Sequence, residues 1–269
     1  MFVKHLDSRL NASQPVPAAT RLMQVKSAIV GVHRAPRFDA MQLTQVLMGE
    51  HVQVYDMRDG WAWGQLERDR YMGFLPEASL SADIVASTHR VAVPSTFIYP
   101  EPNLKSRPAV IVTMNAQVAV IGGDEHFSGL ANGGFVFTAH LKPVREFDTD
   151  FAAVAGMFLN APYYWGGKSI HGLDCSGLVQ LSLEACGIAC LRDSDMQEQD
   201  LGKPVLVNDL DGLQRGDLVF WKGHVGIMRN EHTLLHANGH HMLTVAEPLR
   251  EAAARIARSN GEITAIKRL

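Results

Sequence analysis

The stretch Tyr163-Tyr-Trp-Gly-Gly-Lys-Ser-Ile-His-Gly-Leu-Asp-Cys-Ser-Gly-Leu-Val179 decides the fold class. A glycine-punctuated segment runs up to Asp174. Apolar residues at helical spacing then follow, Leu178, Leu181 and Ala185, with Gly187 as a stop signal. Cys175 therefore stands in the first turn of a predicted helix, directly after an aspartate. A thiol at that place faces the positive end of the helix macrodipole and backbone N–H groups that lack intrahelical partners. Both favour a thiolate, so the pKa of Cys175 is expected to fall. The same N–H groups are ready donors to an oxyanion.

A thiolate alone does not cleave an amide, because the leaving amine needs a proton, usually from a histidine. His224, in Gly223-His-Val-Gly-Ile-Met228, is the candidate, and His236, in Leu234-Leu-His-Ala237, is the candidate to orient it. Arg229-Asn-Glu231 supplies a turn between them, so the two histidines are predicted to lie opposite each other in a hairpin.

Around this core of chemistry the chain changes character near Val144. Residues 148–159 carry Phe151, Val154, Ala155 and Phe158 at helical spacing, with Asp148-Thr149-Asp150 as N-cap candidates. After the Cys175 helix come strand-like runs at 217–221, 225–228, 233–237 and 242–245. Helices first and a β-meander second is an α+β pattern. Residues 21–143 instead hold short strand-like runs punctuated by Asp59-Gly60, Gly122-Gly123-Asp124 and Asn132-Gly133-Gly134. They contain a loose repeat. Met48-Gly-Glu-His-Val-Gln-Val54 and Met114-Asn-Ala-Gln-Val-Ala-Val120 each precede a turn and a glycine-aromatic strand, Tyr71-Met-Gly-Phe74 and Gly134-Phe-Val-Phe137. The predicted organisation is an N-terminal segment (1–20), a first small barrel (21–82), a second (83–143) and an α+β domain (144–269). Barrels of roughly 60 residues are marginal alone and need packing partners.

Composition excludes several classes. Hydrophobic residues make up 46% of the 269 positions and charged residues 20%, as in ordinary globular proteins. With a net charge of -3 and scattered Lys and Arg, no nucleic-acid surface is expected. No apolar run approaches the roughly 18 residues needed to cross a bilayer. No unbroken apolar stretch follows Lys4, so no secretory signal is expected. Three cysteines do not make a disulfide framework and fit a reducing compartment, which places the protein in the cytoplasm. Cys186-x-x-x-Cys190 and His236-x-x-x-His240 have loosely zinc-like spacing, but the pairs lie far apart and His236 already has a role, so neither metal nor cofactor is expected. The oligomeric state is not legible.

From about Asp148 to Leu269 the chain resembles the NlpC-type cell-wall peptidases, a circularly permuted branch of the papain-like fold. The resemblance rests on Tyr163-x-Trp-Gly-Gly through Asp174-Cys-Ser-Gly-Leu178, with Gly216-Asp-Leu-Val-Phe220, Gly223-His-Val-Gly226 and Leu235-His-Ala237 in order behind it. It implies Cys175 as nucleophile, His224 as base and acid, His236 as orienting residue, and Tyr163 as a hydroxyl donor on the oxyanion side. Gly49-Glu50, Asp59-Gly-Trp-Ala-Trp63 and Tyr71-Met-Gly-Phe74 are similar to bacterial SH3-like domains. Two such barrels before the peptidase resemble the subgroup that cleaves γ-D-glutamyl-diamino acid bonds in murein peptides. There the first barrel closes the cleft and the substrate presents a free N-terminal L-Ala. Arg192-Asp-Ser-Asp-Met-Gln197 matches the subgroup's loop. By that resemblance Asp193, Ser194 and Tyr71 bind the ammonium, joined by Asp39 or Glu50, while Trp165, Asp174 and Ser176 line the cleft. The implied role is murein recycling. Hydrolysis of intact wall and non-catalytic binding of wall peptides are the competing readings.

Overall fold

The computed structural model describes residues 8–10, 21–206 and 210–269. Apart from 8–10, the N-terminal segment read as 1–20 lies outside the described residues, and so do the residues on which the expectation of no secretory signal rests. The chain divides into two compact units, the first ending at Glu146 and the second beginning at Phe147. Among the described residues, no helix is long and apolar enough to cross a membrane.

In the first unit, strands β1 (Arg21–Val25), β2 (Ile29–His33), β3 (Gln42–Leu47), β4 (His51–Arg58), β5 (Trp61–Leu66), β6 (Met72–Pro76) and β7 (Leu80–Ser81) form one sheet in the order β3-β2-β6-β5-β4-β1-β7. A 3-10 turn at Glu77–Ser79 leads into β7. The chain then runs through β8 (His89–Val91), β9 (Ser95–Ile98), β10 (Val110–Thr113), β11 (Gln117–Val118), β12 (Val120–Gly123), β13 (Phe127–Leu130), β14 (Phe135–Phe137), a second 3-10 turn (Thr138–His140) and β15 (Leu141–Pro143). The pairing of the first half recurs. β1 pairs with β4 and β7, and β8 pairs with β11 and β15.

The loose sequence repeat has a physical counterpart at one corner. Gly49 N–H donates to Val25 O at 2.9 Å and Met48 N–H to Ala28 O at 3.1 Å. Asn115 N–H donates to Val91 O at 2.9 Å and Met114 N–H to Pro94 O at 3.3 Å. The corner residue has positive φ in both copies, 83° at Gly49 and 68° at Asn115, which suits the two residue types that enter the left-handed region most easily. A side chain at Gly49 would also collide with the backbone of Gln117. The two halves of the unit meet at this point, with Gln117 N–H donating to Met48 O at 2.8 Å. Leu47 joins Val91, Ile98, Val112, Ala116, Val118, Leu130 and Val136 in one apolar cluster. Sharing a core in this way answers the marginal size of each barrel.

The second unit begins with α1 (Phe151–Gly156), shorter than the predicted 148–159; Asp150, one of the N-cap candidates, starts it by accepting Ala153 N–H at 3.0 Å. A ribbon of β16 (Lys168–Ser169) and β17 (Gly172–Leu173) leads into α2 (Cys175–Ala185). Next come α3 (Ser194–Asp200), β18 (Lys203–Pro204), β19 (Leu218–Trp221), β20 (His224–Met228), β21 (Thr233–Asn238), β22 (Leu243–Pro248), α4 (Leu249–Asn260) and β23 (Ala265–Arg268). The antiparallel sheet runs β18-β23-β19-β20-β21-β22. Helix α2 is almost wholly buried and packs on β20 and β21. Helix α4 buries Leu249, Ala252 and Ile256 against Trp221, Leu234 and Ile266. Its three anchors have the amphipathic spacing of a helix, a legible signal that the sequence reading passed over.

Candidate active site

Helix α2 starts where it does because Asp174 caps it. Its Oδ1 accepts Gly177 N–H at 2.7 Å, and the helical ladder opens with Leu178 N–H to Asp174 O at 3.0 Å. The same carboxylate is held from behind. Arg192 Nη1 meets Oδ1 at 2.9 Å and Nη2 meets Oδ2 at 2.8 Å, a two-pronged pair between side chains only 1% and 9% exposed. Arg192 also donates to Ser176 Oγ at 2.8 Å and to Gly167 O at 3.3 Å, and Gly166 N–H donates to Asp174 Oδ2 at 2.8 Å. Burial works against the Arg192 cation, but Asp174 more than offsets it and holds the guanidinium above its ordinary pKa. Gln197 on α3 ties this loop down by donating from Nε2 to Ser176 O and Leu191 O at 3.0 and 2.9 Å.

Cys175 itself is buried, and its sulfur accepts the backbone N–H groups of Val225 and Ser176. Val225 directly follows His224. His224 Nε2 lies 2.7 Å from His236 Nδ1, which leaves Nδ1 of His224 as the nitrogen available to a thiol. The two histidines are not directly opposite, as the hairpin reading expected. The β20–β21 register pairs Ile227 with Leu235, and continuing it sets His236 against Gly226. His224 therefore reaches His236 diagonally. Gly226 leaves room for the imidazole, since a Cβ there would stand 3.2 Å from His236 Cβ and 2.7 Å from Leu234 Cδ1.

The electrostatics correct one expectation. Burial, with Asp174's charge behind it, pushes the Cys175 thiol up to about 12, while the Val225 and Ser176 N–H groups and Arg192 pull the other way. Burial pushes His224 down to about 3, helped by His236 and Arg255 and opposed by Glu247. The helix N-terminus does not win because the capping carboxylate beside it carries the opposite charge and water is excluded. Both shifts favour neutral thiol and neutral imidazole. In the substrate-free protein, alkylation by iodoacetamide, followed on the Cys175 peptide, is expected to be slow at pH 7 and still rising beyond pH 9. A plateau already reached below pH 6 would reveal a preformed ion pair instead.

The structure brings Tyr163 to the same place. Its hydroxyl is pushed up by burial and by the charges of Cys175 and Asp174, and it is bridged to Leu173 beside the helix start. Trp165 is 60% exposed on the same glycine-rich segment. Asp174 and Ser176, read as cleft-lining residues, are buried and spend their polar atoms on one another and on Arg192. Asp193 and Ser194 open α3, where Asp193 makes no side-chain cap bond. Tyr71 belongs to the first unit, where it is buried at 3% exposure. Of the two acidic candidates there, Asp39 is exposed and paired with Arg37, whereas Glu50 is buried, accepts Leu47 N–H at 3.2 Å and pairs with Arg68 at 2.9 Å. Glu50 thus has an internal structural partner set, and Asp39 sits in solvent. Cys186 and Cys190 form no disulfide, and His236 is engaged between His224 and Glu247.

Sequence reasoning missed Arg192 as a structural residue and missed Glu247 and Arg255 altogether. A charged residue ending the apolar run Ile188-Ala-Cys-Leu-Arg192 was the available hint for the first. Nothing local pointed to the other two.

A buried thiol at a helix start, packed on a strand pair that carries a hydrogen-bonded histidine couple, sits here in an α+β domain of the papain-like class. Residues 160–255 match the NlpC/P60 family, and residues 32–80 match the bacterial dipeptidyl-peptidase Sh3 domain. Among relatives, the chain is 24% identical over 238 residues to a protein of Lysinibacillus sphaericus named dipeptidyl-peptidase 6, covering 80% of this chain and 86% of that one. It is 27% identical over 224 residues to a Bacillus cereus γ-D-glutamyl-L-lysine dipeptidyl-peptidase, covering 74% of this chain and 66% of that one. A solved NlpC/P60 family protein from Bacillus cereus shares the fold with a TM-score of 0.74 at 21% identity, over 92% of this chain and 99% of that one.

Proposed function

We propose that the protein is a cysteine endopeptidase that hydrolyses the γ-D-glutamyl-diamino acid bond of murein peptides whose N-terminal L-Ala is free. The observation that carries the reading is the 2.7 Å His224–His236 couple on the strand whose next residue, Val225, gives its backbone N–H to the buried Cys175 sulfur. The thiol proton moves to Nδ1 of His224 as sulfur attacks the γ-carbonyl carbon. Backbone N–H groups at the start of α2 and the Tyr163 hydroxyl take the oxyanion. His224 then gives its proton to the departing amine, leaving a thioester on Cys175. Water, giving a proton to His224, attacks the thioester carbon; the Cys175 thiolate leaves, takes that proton back from His224, and L-Ala-γ-D-Glu is released.

The substrate assignment is supported by the similarity to dipeptidyl-peptidases, two of which carry the γ-D-glutamyl-L-lysine name. The loop at Asp193 and Ser194 offers a carboxylate and a hydroxyl for an ammonium group. Recycled peptides in the cytoplasm fit this reading. The test compares L-Ala-γ-D-Glu-diaminopimelate with its N-acetyl form. Acetylation removes the charge and is expected to lower kcat/KM by about a hundredfold or more, as for loss of a paired buried charge. Equal rates would remove the free-amine requirement and leave the peptidase chemistry standing. Cleavage of neither peptide would overturn the substrate assignment.

A further inference from the structure

The two histidines are not the end of the polar chain. His236 Nε2 lies 2.7 Å from Glu247 Oε1, on the neighbouring strand β22. Glu247 is in turn gripped by Arg255 of α4, with Nη1 to Oε2 at 2.7 Å and Nη2 to Oε1 at 2.5 Å. The sheet register explains the reach. His236 pairs with Val245, so Glu247 is its diagonal neighbour two residues further along the same strand. The side chains of His236, Glu247 and Arg255 are 0%, 14% and 25% exposed, so the chain runs outward from the buried site toward the surface of α4.

We infer that Glu247, fixed by Arg255, is a positioning residue that sets the tautomers of both histidines and so leaves Nδ1 of His224 as the proton acceptor for Cys175. The inference rests on the proposed thiol chemistry but not on the identity of the substrate. An ionised carboxylate accepts hydrogen bonds and donates none, so the nitrogen facing it must carry the proton. Burial raises the Glu247 carboxyl, but the bonds from His236 and Arg255 outweigh that and hold it down at about 2. Nε2 of His236 therefore donates, and its Nδ1 has only a lone pair. The 2.7 Å contact then requires His224 Nε2 to donate, and the lone pair of His224 falls on Nδ1.

The other groups facing this chain agree with that order. Asn238 Nδ2 approaches His236 Nε2 at 3.1 Å, but two donors cannot bond, and the shorter contact to the charged oxygen decides the tautomer. The Asn238 amide is oriented by its Oδ1, which accepts His241 N–H at 2.9 Å. The His241 ring stands 4.0 Å from Glu247 Oε1, too far for a hydrogen bond but near enough to add attraction if it is protonated. Glu251 adds its charge at Arg255 from within α4. A neutral partner at 247 would let the His236 proton move to Nδ1. His224 would then have to place its own proton on Nδ1, where it can no longer accept one from sulfur.

The test begins on the unaltered protein. Two-bond 15N–1H correlation spectra at pH 7 are expected to show protonated Nε2 and unprotonated Nδ1 for both His224 and His236. The opposite pattern at either residue would overturn the inference. In Glu247→Gln, the pattern at His236 is expected to become mixed, and Cys175 alkylation by iodoacetamide at pH 8 should slow about tenfold to a hundredfold, the usual cost of losing a residue that orients a functional histidine. Glu247→Asp keeps the charge and should recover part of that rate. Arg255→Gln keeps Glu247 in place and gives a second handle should the Gln variant fold poorly. It is expected to shift the alkylation profile in the same direction by a smaller factor. Unchanged tautomers and alkylation in folded Glu247→Gln would sink the idea. Because alkylation needs no peptide, a wrong substrate assignment would leave this result untouched.

Discussion

Cys175→Ala is expected to abolish cleavage of L-Ala-γ-D-Glu-diaminopimelate, lowering kcat by about 10⁴-fold or more while leaving the fold intact. In the proposed mechanism the whole covalent path runs through one sulfur, and the remaining donors at the start of α2 have nothing to stabilise without it. Alanine at this place costs little packing, because the side chain is small and the helix start is fixed by Asp174 rather than by the thiol. Peptide binding should survive in the variant, so calorimetry at high protein concentration separates loss of chemistry from loss of the site. Hydrolysis at the wild-type rate would rule out sulfur as the nucleophile.

Arg192→Ala carries the largest expected loss of stability. The guanidinium is buried, grips both oxygens of Asp174, and also holds Ser176 and Gly167. Removing it strands a carboxylate that cannot reach water, at a cost of about 3–5 kcal/mol and a fall in Tm of roughly 10 °C. Arg192→Lys is expected to recover little, because an ammonium cannot match the two-pronged geometry. The decisive comparison is the double variant Arg192→Ala with Asp174→Asn. Its neutral amide can still accept Gly177 N–H, so the double variant should be more stable than Arg192→Ala alone. If thermal melts placed it lower by the full sum of the two single losses, the buried charge would not be the cause. A loosened α2 start should also slow alkylation of Cys175, tying stability to the geometry of the site.

Much of the site was legible because its signals are local. The cap at Asp174, the helix behind Cys175 and the two strands that carry His224 and His236 each announce themselves within a few residues. The repeat in the first unit was legible for the same reason, since a left-handed corner accepts only a few residue types and Gly49 and Asn115 are two of them. What escaped were contacts made across long stretches of chain. Arg192 meets Asp174 through the α3 loop, Arg255 meets Glu247 from α4, and Leu47 completes the core of the second barrel. No periodicity reports such partners.

The sequence by itself determined that Cys175 opens a helix, that two histidines follow on strands, and that small strand-rich domains precede them, because caps, turns and alternation are short-range physics. Only the tertiary structure decided the charge state of the site. The N-terminus of a helix argues for a thiolate, but burial and the Asp174 carboxylate raise the thiol, and together they outweigh the Val225 and Ser176 N–H groups and Arg192. The proposed direction of the proton path is tertiary in the same way. It depends on a carboxylate from β22 and a guanidinium from α4, which meet His236 only once the sheet and the last helix have closed on each other.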